Sequence, residues 1–212
     1  MYTHTKETQE SLSPADALQI LKEGNERFSG NLKANRNLLQ QVNETRDGQW
    51  PFAAILSCID SRTSAELIFD QGLGDIFSAR IAGNVVNTDI LGSLEFACQI
   101  AGAKLVVVVG HSRCGAVKGA CDGIELGYLT KILRKISPAV EAVRDPVDPD
   151  ARTSANAEFV EAVCRENVRH VVDAISERSS VLLGMQATGA IDIVGAMYDV
   201  SVGSVDFLPK RS

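Results

Sequence analysis

The sequence predicts a single α/β domain with a mostly parallel central β-sheet flanked by helices and an N-terminal helical arm. Three observations carry this reading. Short apolar runs alternate along the chain with segments of helical periodicity, the pattern of strands joined by crossover helices. Residues 105–109 are Leu and Val throughout, as in a strand covered on both faces. The 212 residues are enough for one domain with a substantial core.

Residues 1–12 are polar and read as a flexible tail. Ser13-Pro14 opens a helix, with Ser as cap, Pro in the first turn and Asp16 close behind. Ala17, Ile20, Leu21, Gly24 and Phe28 share one face of it, and Gly30-Asn31 stops it. Residues 31–48 are polar around Leu38-Leu39 and suit a second arm helix, so 13–48 form the arm and 49–212 the α/β core.

In the core, strands are expected at 52–56, 76–81 and 105–109, with a final hairpin of 191–200 and 205–208 turning at Val202-Gly203. Helices are expected at 64–71, 89–101, 115–121 and 160–175. A long amphipathic helix through Leu129, Leu133, Ile136 and Val140 should bend or break near Pro138. Residues 145–149 read as a loop, and the three acids of Asp145–Asp150 as solvated rather than calcium-binding.

Composition removes several classes of function. The net charge is −6 and no basic stripe with interleaved aromatics appears, which excludes a nucleic-acid partner. No apolar run reaches the 18 residues of a membrane span, so no membrane partner is expected. The polar first 13 residues lack a secretory signal, which points to the cytoplasm. Five irregularly spaced cysteines are a poor disulfide framework and suit metal ligands or buried thiols.

Chemistry concentrates at two predicted strand ends. One reads Ser57-Cys58-Ile59-Asp60-Ser61-Arg62, the other Gly110-His111-Ser112-Arg113-Cys114-Gly115. In parallel sheets, ligands bind beyond the C-terminal ends of the strands. Fifty-two residues separate Cys58 from His111, more than one crossover, so the strands can be neighbours and the three groups can meet. Two thiolates and an imidazole suit Zn²⁺, and three protein ligands leave the fourth position open, as in catalytic sites. The dipole of the helix starting at Gly115 and a bound metal together would favour the thiolate of Cys114.

Asp60 and Arg62 alternate after Cys58 and project the same way if the backbone stays extended. A carboxylate there either closes the site as a fourth metal ligand or pairs with the planar fork of arginine and leaves room for water. The pair reads as a gate. Cys98 and Cys164 fall on apolar helix faces and read as core. Cys121 and His170 read as structural, and His4 lies in the tail.

Cys58-x-Asp60-x-Arg62 with His111-x-x-Cys114-Gly115 resembles the β-carbonic anhydrases. So do Asn25-x-Arg27-Phe28, Gly48-Gln49-x-Pro51, Arg80-Ile81-Ala82-Gly83-Asn84-Val85 and Gly195-Ala196-x-Tyr198-Asp199-Val200. The likeness runs over residues 14–208 and makes 49–212 the zinc catalytic core. It implies reversible hydration of carbon dioxide to bicarbonate at zinc held by Cys58, His111 and Cys114, with Asp60 and Arg62 as the catalytic dyad. It further implies a substrate contact from Gln49, a backbone N–H at Gly115 holding bicarbonate, and aromatics Phe77 and Phe96 contributed across a dimer interface. Homodimers or homotetramers are expected.

Two positions depart from the pattern. Ile55 stands where some members carry the tryptophan of a non-catalytic bicarbonate site, so inhibition of that form is not expected despite Arg80. Ile81 stands where asparagine is usual. Because two thiolates cancel the charge of Zn²⁺, activity is expected to rise on the alkaline side of neutral. The alternatives are a related hydrolase of carbon disulfide or carbonyl sulfide, a non-catalytic zinc-binding regulatory protein, and a redox thiol protein.

Overall fold

The computed structural model describes residues 3–210. Five strands form one sheet in the order β2-β1-β3-β4-β5. They are β1 (Ala53–Ser57), β2 (Ile76–Arg80), β3 (Leu105–His111), β4 (Asp192–Tyr198) and β5 (Val205–Phe207). The first four are parallel, and β5 runs antiparallel against β4. Every residue of β1 and β3 is buried, which is why both read as unbroken apolar runs.

Helices cover both faces. On one, Ala54, Leu56, Val106 and Val108 pack with residues of α5 (Thr88–Glu95), α7 (Leu129–Ala142) and α8 (Ala157–Arg178). On the other, Ala53, Ile55, Val107 and Val109 pack with Ala17 and Leu21 of α2 (Pro14–Ser29) and with α4 (Ala65–Ile68). α2 starts as the sequence indicates: Ser13 and Asp16 form a reciprocal capping box and Pro14 opens the first turn. α6 spans Gly115–Cys121, as expected.

Several expectations need correction. The segment read as a flexible tail contains α1 (Lys6–Ser11), whose Gln9 is buried and donates from Nε2 to the carbonyls of Pro51 (2.7 Å) and Ala101 (2.8 Å). Met1 and Tyr2 of the tail and Arg211 and Ser212 of the core lie outside the described residues. The arm helix α3 is confined to Leu38–Glu44. The helix at 64–71 shrinks to α4, because Asp70 takes a positive φ of 46° and ends it. The helix at 89–101 widens into a π turn over Phe96–Ile100. Of the bend or break expected near Pro138, the break does not occur: α7 runs through the proline as one element. A further helix, α9 (Ser180–Ala187), has no regular apolar stripe to announce it.

The closing hairpin forms as expected. Gly203 (φ 80°) turns the chain and donates from its N–H to the Asp199 carbonyl at 2.8 Å. Among the described residues, no helix is long and apolar enough to cross a membrane.

Candidate metal centre

Register brings the two sequence clusters together. Ser57, the last residue of β1, pairs with Val109 of β3, so Cys58 leaves its strand beside His111, which ends β3. Arg113 takes a positive φ of 59°, a conformation costly for a side chain that is not glycine. That turn brings Cys114 to the N-cap of α6, facing back toward His111.

Cys58, His111 and Cys114 are 4 %, 1 % and 1 % exposed, and their ligand atoms all lie within 4.8 Å of one another. The two Sγ atoms are 4.0 Å apart. A disulfide needs about 2.05 Å. Two sulfurs on a tetrahedral zinc, at about 2.3 Å each, stand roughly 3.8 Å apart. The cysteines therefore have the spacing of shared metal ligands.

The histidine supplies the second test of fit. Nδ1 lies 3.0 Å from the carbonyl of Ser112, which can only accept, so Nδ1 carries the proton. Nε2 then presents a lone pair, and it is buried with no hydrogen-bond partner. A buried acceptor without a partner is costly unless a cation satisfies it.

One S–H···S hydrogen bond joins the two cysteines. Contact with the Cys114 thiol, supported by the backbone N–H groups of Asp60 and Gly83, holds the pKa of Cys58 down to about 4 against the opposing effect of burial. The same contact with Cys58, reinforced by burial, pushes that of Cys114 up. A dication would displace the hydrogen-bonded proton and hold both as thiolates.

Asp60 faces Arg62. Its Oδ1 accepts from the Arg62 backbone N–H at 3.0 Å and Nε at 2.9 Å, and its Oδ2 accepts from Nη2 at 2.8 Å. This fork holds the Asp60 carboxyl well below the usual carboxylate range. Asp60 does not belong to the group of side chains that could share a metal ion.

Further residues fix the loop; Arg80, Gly83 and Ser112 lie in the sequence motifs quoted above, whereas Thr63 does not. Arg80 donates from Nε to the Cys58 carbonyl (3.0 Å) and from Nη2 to the Asp60 carbonyl (2.6 Å). Thr63 Oγ1 donates to the same two carbonyls at 3.1 and 2.9 Å. The N–H of Gly83 donates to Cys58 Sγ at 3.3 Å. Ser112 Oγ accepts from the Val200 N–H at 3.0 Å and ties the metal loop to the β4–β5 turn.

Of the remaining site residues, Gly115 adjoins the ligand Cys114, whereas Gln49, Phe77 and Phe96 are not brought to the metal group within one chain. Gln49 is exposed and precedes β1, at the edge of the sheet opposite Cys58. Phe77 pairs in register with Ala54, four residues before Cys58, which at about 3.3 Å per residue is some 13 Å along the strand. It meets Phe96 edge to face at 6.3 Å. Both rings line a cavity of about 610 Å³ whose lining excludes the metal ligands. Gly115 opens α6 toward free space: a Cβ added there would meet nothing within 4 Å.

This combination, a parallel sheet with a Cys-His-Cys cluster at its C-terminal edge, defines a metalloenzyme scaffold. Comparison with known proteins makes it specific. The Carbonic anhydrase family profile matches residues 53–205. Carbonic anhydrase 2 of Mycobacterium tuberculosis is 36 % identical over 197 residues, covering 90 % of this chain and 91 % of that protein. A carbonic anhydrase of Mycolicibacterium smegmatis is 32 % identical over 201 residues, covering 92 % and 93 %. The crystal structure of the β-carbonic anhydrase CafA of Aspergillus fumigatus superposes with a TM-score of 0.73 at 27 % identity, covering 93 % of this chain and 91 % of that one.

The chain belongs to the carbonic anhydrase family, in its β class. It is a lyase of carbon dioxide hydration, and the family is zinc-dependent.

Proposed function

We propose that Cys58, His111 and Cys114 hold Zn²⁺ and that the Asp60–Arg62 pair is the catalytic dyad for reversible hydration of carbon dioxide to bicarbonate. The buried, partnerless Nε2 of His111 beside two sulfurs 4.0 Å apart is the observation that carries this. Zinc in that position supplies a Lewis acid that makes water a nucleophile near neutral pH.

The chain's own groups do the rest. Arg62 holds the Asp60 carboxylate away from the metal group and keeps it ionised. Asp60 thereby serves as a fixed acceptor that orients the attacking water, rather than as a fourth ligand that blocks it. Arg80 and Thr63 fix the carbonyls on either side of Ile59, so the dyad and Cys58 move as one rigid loop. The N–H of Gly115 holds the bicarbonate oxygen.

Gln49, Phe77 and Phe96 act across a homodimer, with the homotetramer as the larger alternative. Each lies away from its own metal group, and Phe96 is 53 % exposed beside an exposed Ile100, an apolar surface suited to burial by a second copy. The five free cysteines support a cytoplasmic, reducing setting.

Zinc-edge X-ray absorption on the zinc-loaded protein tests the ligand set. Two sulfurs and one imidazole nitrogen in the first shell are expected, falling to one sulfur in Cys58→Ser. A shell of nitrogen and oxygen alone overturns the assignment.

A further inference from the structure

α8 buries an apolar stripe that includes Phe159, Val160, Val163, Val168, Val171 and Ile175. Asn167 interrupts it. The residue is 1 % exposed, and its Oδ1 is buried with no hydrogen-bond partner. Burying a half-satisfied amide is unfavourable, so the half that is satisfied is informative.

That half points at the metal centre. Asn167 Nδ2 donates to the carbonyl of Gly83 at 2.9 Å. The N–H of the same glycine donates to Cys58 Sγ at 3.3 Å. Gly83 is held in a left-handed conformation (φ 67°, ψ 18°). A Cβ there would come within 2.6 Å of Ile136 Cδ1 and 3.3 Å of Ala116 Cβ. α6 and α7 thus wall the glycine in, and α8 sets the direction of its carbonyl.

We infer that Asn167 is a positioning residue for the metal centre: it aims the N–H of Gly83 at the Cys58 sulfur. The inference rests on Cys58 being a metal ligand. An N–H donor draws electron density from a thiolate and fixes its direction, so such outer contacts tune both metal affinity and the charge the sulfur gives the metal. With two thiolates in the ligand set, that withdrawal keeps the metal electrophilic. The sulfur also gains a fixed orientation that a strand-end loop would not give it.

Three readouts test this. In wild-type protein loaded with NMR-active cadmium, the amide proton of Gly83 should show coupling to the metal through the N–H···S bond. Its absence overturns the inference without any variant. In Asn167→Ala, that coupling should weaken, the thiolate-to-cobalt charge-transfer band of cobalt-loaded protein should shift, and zinc transfer to a chelator should accelerate about tenfold. Val171→Ala removes comparable packing one turn along the same helix and should leave all three readouts unchanged. Zinc transfer in Asn167→Ala within twofold of wild type, with an unmoved cobalt band, contradicts the role. Equal changes in Val171→Ala reduce it to packing. Wild-type protein that takes up no metal fails the metal centre itself, whereas metal uptake with unaltered Asn167→Ala fails only the positioning role.

Discussion

Arg62 grips both carboxylate oxygens of Asp60, with Nε 2.9 Å from Oδ1 and Nη2 2.8 Å from Oδ2. In the proposed mechanism this pair is the gate of the site. Removing the arginine should free the carboxylate to become a metal ligand. Arg62→Ala is expected to lower carbon dioxide hydration by about 10²-fold or more while zinc stays bound. Activity within threefold of wild type would show that Asp60 needs no holder.

The same contact fixes the sign of a pH effect. Arg62 lowers the folded pKa of Asp60 below the ordinary 3.8. Its contribution to stability is therefore complete above that value and is lost as pH falls toward the folded pKa. Because Arg62 is half exposed, the contribution is small. Asp60→Asn should flatten the acid limb of stability slightly, with no change between pH 6 and 9, as acid-unfolding curves would show. A difference growing toward pH 9 would contradict the assignment.

Zinc should stabilise the fold through its three buried ligands. At free zinc a thousandfold above the dissociation constant, linkage gives about 4 kcal/mol. For a chain of this size that is a rise in Tm of roughly 8–16 °C over metal-free protein. Differential scanning calorimetry with and without chelator measures it. His111→Ala should lose most of the rise.

Gly83 tests the cradle around Cys58. Alanine there meets both an unfavourable positive φ and Ile136 Cδ1 at 2.6 Å. Gly83→Ala should cost about 2–4 kcal/mol in urea unfolding. A cost below about 0.5 kcal/mol would mean that α7 yields without resistance.

Gln9 tests the docking of α1. Gln9→Ala leaves the carbonyls of Pro51 and Ala101 without their shared donor and should cost about 1–3 kcal/mol. Equal stability in urea unfolding would return residues 6–11 to the status of an unattached tail.

The sequence was most legible where physics acts over short distances. The apolar runs of β1 and β3 announced a parallel sheet, and polar motifs at their ends placed Cys58, His111, Cys114, Asp60 and Arg62 together. The Ser13–Asp16 cap marked the start of α2. α1 was illegible because its docking depends on one amide reaching two distant carbonyls, with no apolar stripe. α9 hid because Val181-Leu182-Leu183 followed by Gly184 carries no helical period. The π turn at Phe96–Ile100 changes a register that periodicity assumes constant. Asn167 did leave a signal, a lone amide in an apolar stripe, but its partner Gly83 lies 84 residues away. Gln49, Phe77 and Phe96 came only from family likeness, and one chain does not bring them to the metal group.

The most direct test of the central claim is stopped-flow proton release during carbon dioxide hydration by zinc-loaded protein at pH 7 and 8.5, with Cys58→Ser alongside. Fast hydration, faster at pH 8.5 and lost in Cys58→Ser, is the predicted result. No hydration at either pH with zinc confirmed bound would contradict it and redirect attention to carbon disulfide or carbonyl sulfide as substrate.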